Sequence, residues 1–176
     1  MLLKAILIAA CLIQTLSLAA AMDDDGFDIA ATPAQMATMP RSDIINGKRF
    51  VFVSFLTANW YRAAHICKYN NMELAAVNNV EEQNAIAKLA GTVGGYSSEF
   101  YVGGNDLGLQ KNWYWLATGK PISYTNWSAG EPNNFRGENE RCVVILKWNK
   151  YLWNDTICDS RQLYFVCEER AITASG

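Results

Sequence analysis

The stretch Tyr124–Cys142, YTNWSAGEPNNFRGENERC, decides the fold of this chain. It shows neither the alternation of a β-strand nor the period of a helix, and the connection from Pro121 to Arg141 is longer than compact domains usually carry. Such a loop is either functional or disordered. Tyr124 and Trp127 favour order, because large aromatic side chains are normally buried. We therefore predict an ordered, functional loop.

Oxygen-bearing side chains are concentrated in this loop and in the segment that follows the next strand. Carboxylates and amide carbonyls are the ligands that calcium prefers, and an irregular loop suits its adaptable coordination. Zinc is disfavoured, because His65 is the only histidine and the cysteines of an exported chain are oxidised. The residues together predict a calcium site, although each short motif alone would favour an ordinary turn or core residue. The oxygen donors are Glu131, Asn133, Asn134, Glu138, Asn139, Glu140, Asn154 and Asp155.

The chain after residue 44 predicts an α+β domain. An aromatic and β-branched run over Lys48–Phe55 indicates a strand, and Thr57 is placed to cap the helix that follows. A second helix is predicted from a cap at Asn79, with Glu82 positioned as in a capping box, to Gly91. The apolar helix faces comprise Trp60, Ala63, Ala64 and Cys67 in the first and Ile86 and Leu89 in the second. Short strands are predicted at Phe100–Gly103, Trp113–Ala117, Cys142–Trp148, Tyr151–Trp153 and Gln162–Glu168.

The N-terminal sequence predicts export. Leu2–Ala21 is an apolar run with one cation, Lys4, and a small-residue end, which is typical of a cleaved signal peptide; a membrane anchor is the alternative. We expect a secreted, extracellular protein with a signal peptide over residues 1–21, a flexible segment over 22–44, one domain over 45–170 and a tail over 171–176. The net charge of −2 includes no basic block, so nucleic acid and anionic membranes are poor partners. Four cysteines remain after cleavage, which indicates disulfides with three connectivities open.

Several short motifs occur together, in order, between Arg49 and Glu168. They are Tyr101–Asp106 (YVGGND), Tyr124–Trp127 (YTNW), Glu131–Asn133 (EPN), Trp153–Asp155 (WND) and the cysteines Cys67, Cys142, Cys158 and Cys167. In this order and spacing the chain resembles the C-type lectin domain, the calcium-dependent carbohydrate-recognition family. The resemblance implies a C-type lectin-like fold with two helices, short antiparallel sheets and a long calcium-binding loop. It also implies the disulfides Cys67–Cys167 and Cys142–Cys158.

The resemblance further implies a site and a ligand. The family's sugar-binding calcium would be held, and the sugar bound, by Glu131, Asn133, Glu140, Asn154 and Asp155. The Glu-Pro-Asn order, with a cis peptide before Pro132, implies a preference for equatorial 3- and 4-hydroxyls, as in mannose, fucose and N-acetylglucosamine. Secreted single-domain lectins of this kind in invertebrates recognise glycans on microbial or cell surfaces, usually in innate defence. No collagen-like or heptad segment is evident, so we expect a monomer or a small oligomer.

The chain departs from the family pattern beside the predicted site. Relatives with a second calcium use acids near positions 106, 110, 134 and 141, of which only Asp106 is acidic here. Arg141 would repel a second divalent ion, so we expect one calcium. Two glycosylation sequons, Asn126-Trp127-Ser128 and Asn154-Asp155-Thr156, overlap structural or ligand residues and are expected to be mostly unmodified. Phe135 and Arg136 follow the motif, where contact with ligand and a solvated loop tip are equally expected.

Two other functions remain as alternatives. A lectin-like domain could bind a protein partner without sugar, but such domains usually lack the full ligand set that this chain retains. A glycosidase would use Glu131 and Glu140 as paired carboxylates. Neither acid has a reason to hold a proton beside a divalent cation, and His65 lies away from both. We therefore expect no enzyme.

Overall fold

The structure, a computed structural model, describes residues 31–93 and 99–170, without the side chain of Arg170. The predicted signal peptide, residues 22–30 of the predicted flexible segment and the predicted tail lie outside the described residues. Among the helices that the structure does describe, none has the length and apolar character needed to cross a membrane.

One sheet of seven strands forms the framework. Its path runs β1-β7-β3-β5-β6, with the short strands β2 on β7 and β4 on β3. All pairs are antiparallel except β3 with β7. The strands are β1 Lys48–Ala58, β2 Glu73–Leu74, β3 Glu99–Asn105, β4 Tyr114–Trp115, β5 Glu140–Leu146, β6 Leu152–Ile157 and β7 Leu163–Arg170. The first and last strands are therefore neighbours, and β6 lies at the opposite edge.

Helix α2, Trp60–Tyr69, packs its buried residues onto the core beside the sheet. Asn59, not Thr57, caps it: the Asn59 side chain accepts from the Arg62 N–H at 2.9 Å. The prediction of Thr57 as the cap is wrong because β1 continues to Ala58, past the aromatic run that suggested its end. Cys67 of this helix bonds to Cys167 of β7, as expected.

Helix α3, Val80–Thr92, begins at the predicted cap, where Asn79 Oδ1 accepts from Glu82 N at 2.9 Å. The Glu82 side chain does not return to the cap residue. Its Oε2 accepts from Asn78 N at 2.8 Å and from the buried Lys48 Nζ at 2.7 Å, and Lys48 also bonds to Glu168 at 3.2 Å. A buried ion-pair group, unforeseen in the sequence, thus joins β1, α3 and β7.

The described part of the segment predicted as flexible, residues 31–44, contains a short helix. Helix α1, Pro33–Ala37, begins with a complete capping box between Thr32 and Gln35, and Met36 is only 2 % exposed. Arg41 then pairs with Glu169 at 2.7 Å. A five-residue helix is too short to display a hydrophobic period, so composition alone indicated a linker.

Candidate functional site

An aromatic group anchors the long loop beneath the predicted site. The Trp153 ring contacts Trp115, Tyr124 and Trp127, with centroids 5.6, 5.7 and 5.6 Å away. Backbone bonds from Trp153 N to Asn126 O and from Ser128 N to Trp153 O, each 2.8 Å, fasten the loop to β6. The loop is therefore attached to β6 at Trp153, the residue before Asn154 and Asp155. Its aromatic residues are ordered, as predicted.

The Glu131–Pro132 peptide is cis, as the resemblance implies. Beyond it, the loop folds over Asp155, whose side chain is only 1 % exposed. Asp155 Oδ1 accepts from Asn133 N at 3.1 Å, and Oδ2 accepts from Asn134 N at 2.7 Å. Asn134 takes a left-handed conformation, φ 45° and ψ 59°, which asparagine tolerates better than most residues. The loop and β6 thus meet at one carboxylate.

Glu140, the first residue of β5, contacts the same loop. Its N–H donates to Asn134 Oδ1 at 2.9 Å, and its Oε2 accepts from Phe135 N at 2.7 Å. Asn154 lies half-buried on β6, and its Nδ2 donates to Asp155 O at 2.8 Å. Hydrogen bonds therefore link Glu140 to Asp155 through Asn134, and join Asn154 to the backbone of Asp155.

Glu131 carries the clearest electrostatic strain in the group. Its Oε1 accepts from Asn133 Nδ2 at 2.9 Å, whereas its buried Oε2 has no donor among the described residues. Burial first, then the closely placed carboxyl of Asp155 and its charge, and then the charge of Glu140 raise the pKa of Glu131 to about 7. Burial first, with the charges of Asp155 and Glu138, also raises the pKa of Glu140, against the Phe135 N–H and Arg161. Arg161 thus offsets the shift of Glu140 only in part.

The donor set fits a hard cation in kind. Every side-chain oxygen in it is a carboxylate or an amide carbonyl, and the orphaned Glu131 oxygen is the type of atom that a calcium ion would satisfy. Within residues 31–93 and 99–170, however, no three acidic, histidine or cysteine side chains stand at distances that would hold an ion without movement. Asp155 instead uses both oxygens to bind loop amides.

An ion pair between Arg141 and Asp106 lies beside these carboxylates. The Arg141 guanidinium bonds to the carboxylate and the carbonyl of Asp106, and Lys111 N donates to Asp106 Oδ2 at 2.6 Å. A cavity of about 130 Å³ separates this pair from the loop and is lined in part by Lys111, Asn134, Glu140 and Asp155. Asp106 is thus already neutralised by a side chain of the same chain.

Sequence reasoning missed two contributions to this arrangement. The Phe135 backbone N–H is a partner of Glu140, and Asn134 bridges Glu140 and Asp155. Backbone donors leave no trace in residue type. Asn134 did belong to the oxygen-rich set, and its tolerance of left-handed backbone is the one signal that could have identified it.

Comparisons with known proteins identify the family. The family described as Lectin C-type domain matches residues 56–169. Salivary C-type lectin 1 of Aedes albopictus is 35 % identical over 130 residues, covering 68 % of this chain and 81 % of that protein. C-type lectin 16 of Aedes aegypti is 34 % identical over 134 residues, covering 70 % and 83 %. Among solved structures, the cow CD23 C-type carbohydrate-recognition domain, determined in the presence of a GlcNAc2Man3 oligosaccharide, gives a TM-score of 0.63 at 28 % identity over 72 % of this chain and 91 % of that one.

The fold agrees with this family in its two main helices, its mixed sheet and its two disulfides, Cys67–Cys167 and Cys142–Cys158. Its members are non-enzymatic, which confirms that expectation. The chain is a carbohydrate-recognition domain that belongs to the C-type lectin family.

Proposed function

We propose that this secreted domain binds mannose-type sugars through one calcium ion held by Glu131, Asn133, Glu140, Asn154 and Asp155. The observation that carries the proposal is the excess of negative charge around Glu131: its buried Oε2 lacks a donor, and Asp155 and Glu140 both raise its pKa. A divalent cation would relieve this repulsion. Bound calcium would supply a positive centre for the lone pairs of two neighbouring sugar hydroxyls.

The side chains supply the remaining hydrogen bonds. Glu131 and Glu140 can accept the protons of the two hydroxyls, and the NH2 groups of Asn133 and Asn154 can donate to their oxygens. Both amides now donate inside the loop, Asn133 to Glu131 and Asn154 to Asp155 O. Ligand binding would exchange these internal bonds for bonds to sugar. Three carboxylates against one divalent ion favour a neutral ligand at this centre.

Sugar class follows from the order of acid and amide. Glu131 before Asn133 matches the family pattern for equatorial 3- and 4-hydroxyls, as in mannose, fucose and N-acetylglucosamine. The mannose-containing oligosaccharide present with the cow CD23 domain supports the same class. The Arg141–Asp106 pair supports a single calcium, because it neutralises the acid that a second ion would use. Salivary relatives support export, and glycans on microbial or cell surfaces are the proposed partners, in innate defence.

Retention on mannan resin tests the proposal. The purified protein should bind in calcium and be released by EDTA or by free mannose. Glu140→Gln should weaken retention at least about tenfold, because it replaces a charged ligand and acceptor by a neutral amide. Binding that persists in both EDTA and excess mannose would point instead to a protein-type contact and would exclude the proposed site.

Glu138→Gln is the matched control. Glu138 lies in the same loop, is exposed, and is outside the proposed ligand set. The Glu138→Gln variant removes the same charge as Glu140→Gln and should leave retention nearly unchanged. Equal losses in the two variants would show that overall loop charge, not calcium ligation by Glu140, governs retention.

A further inference from the structure

An aromatic side chain and a guanidinium are stacked at the tip of the loop. Phe135 is 51 % exposed, and Arg136 Cζ lies 4.9 Å from the centre of its ring. Arg136 takes this position from a left-handed backbone, φ 53°, which is costly for a residue with a side chain. The two residues thus form one exposed unit, here called the Phe135–Arg136 pair.

The Phe135–Arg136 pair is tied to the site carboxylates. Phe135 N donates to Glu140 Oε2 at 2.7 Å. The preceding residue, Asn134, contacts Asp155 through its N–H and Glu140 through its side chain. The base of the pair is therefore fixed by two proposed calcium ligands. The pair therefore follows directly, along the chain, the residues that meet at Glu140 and Asp155.

Arg136 differs from most arginines of the chain in its partners. Arg41, Arg49, Arg141 and Arg161 each pair with a carboxylate. Arg136 forms no ion pair within the described residues, although Glu138 and Glu140 belong to the same loop. A guanidinium lying on a ring keeps its N–H edge available, and that planar edge matches a sulfate or a carboxylate.

We propose that the Phe135–Arg136 pair is a second ligand subsite. It takes the sugar residue linked to the one at the primary centre, with Phe135 against the ring and Arg136 bonded to an anionic substituent, either a sulfate ester or a carboxylate. The primary centre favours a neutral residue, so the preferred ligand is a glycan with a neutral mannose-type residue beside an acidic one. This inference rests on the proposed function.

Calorimetry on the full secreted chain in calcium tests the subsite with four ligands. They are methyl α-mannoside, neutral mannobiose, mannobiose with a sulfate on its second residue, and a disaccharide of mannose and a mannuronic acid. Wild-type protein should bind at least one acidic disaccharide about tenfold more tightly than mannobiose, as expected for a charge-assisted hydrogen bond. A gain with one acid only identifies which substituent is read.

Two variants assign the gain to the pair. Arg136→Gln should remove the preference for acidic disaccharides while leaving methyl α-mannoside affinity unchanged, and Phe135→Ala should lower the affinity of both kinds of disaccharide. Arg62→Gln, which removes the same charge from the first turn of α2, should preserve the preference. A structural role for Arg136 would instead lower all four affinities equally, and that result would overturn the subsite.

The outcomes separate this inference from the proposed function. Normal methyl α-mannoside binding without any gain for the acidic disaccharides would overturn the subsite alone. Absence of calcium-dependent binding to all four ligands would overturn the proposed function and the subsite with it.

Discussion

Glu131 shows what residue-level reasoning can and cannot supply. Its identity within Glu-Pro-Asn predicts a ligand role, and the structure places it beside Asp155 and Glu140. The orphaned Oε2 and the raised pKa could not be read from the sequence, because they depend on how closely three carboxylates from two segments approach. Phe135 N is equally invisible, since every residue but proline carries the same donor.

We predict that Glu131 sets the pH dependence of sugar binding. Because the pKa of Glu131 is about 7 without metal, protons and calcium compete for its carboxylate at neutral pH. Lowering the pH from 8 to 6 protonates Glu131, so the calcium concentration for half-maximal mannan binding should rise several-fold. Calcium titrations of binding at pH 6, 7 and 8 measure this shift. A constant calcium requirement over that range would contradict the role of Glu131.

Sugar preference is also set by single residues. Glu131→Gln combined with Asn133→Asp exchanges acceptor and donor across the ion, and with them the hydroxyl geometry that both sides can satisfy. The double variant should lose mannose affinity about tenfold or more and gain relative affinity for galactose, as competition on a glycan array would show. Glu138→Gln again serves as the control. An unchanged ranking of sugars would show that other residues determine preference.

Contacts between elements were only partly predictable. The faces of α2 and α3 follow from their periodicity, and Cys67, Ile86 and Leu89 are buried as expected. The strand Tyr151–Trp153 was predicted too short, because β6 continues through Asn154 and Asp155, whose residue types suggest a turn. Asparagine and aspartate are uncommon in strands, so residue type alone places the end of this strand too early.

Lys48 carries a prediction at this scale, because it joins three elements through Glu82 and Glu168. Lys48→Met would leave two buried carboxylates without their cation and should lower the free energy of unfolding by about 3 to 5 kcal/mol. Lys68→Met, which breaks the exposed pair with Glu73, should cost less than about 1 kcal/mol. Denaturant unfolding measures both. Similar small losses would mean that the Lys48 group contributes little.

At the scale of the whole molecule, the α+β class and the disulfide pairing were predictable from motif order. The pairing came from the resemblance and is confirmed. Helix α1 is too short to show a hydrophobic period, and its one local signal is the capping box of Thr32 and Gln35; Met36 is buried against the rest of the domain. Long-range packing decides such short elements.

The two disulfides should contribute unequally. Cys67–Cys167 spans 100 residues and Cys142–Cys158 spans 16. The loss of entropy in the unfolded chain therefore predicts a stabilisation of about 4.7 kcal/mol by the first and about 3 kcal/mol by the second. Replacing the first pair by alanines should therefore lower the melting temperature more. Replacing the second, which joins β5 to the residue after β6, should weaken calcium binding more. Thermal unfolding and calcium titration of both variants test this order, and a reversed order in either measurement would contradict it.

The strand order has one more consequence, for presentation. The chain enters the sheet at β1 on one edge, next to the last strand, whereas β6 with Asn154 and Asp155 forms the opposite edge. Lys48 and Arg170, which pair with each other, therefore lie on the side of the sheet away from the proposed sugar-binding residues. Copies anchored in a row by that side of the sheet would all present the proposed sites outward, and weak individual contacts would add up to firm adhesion.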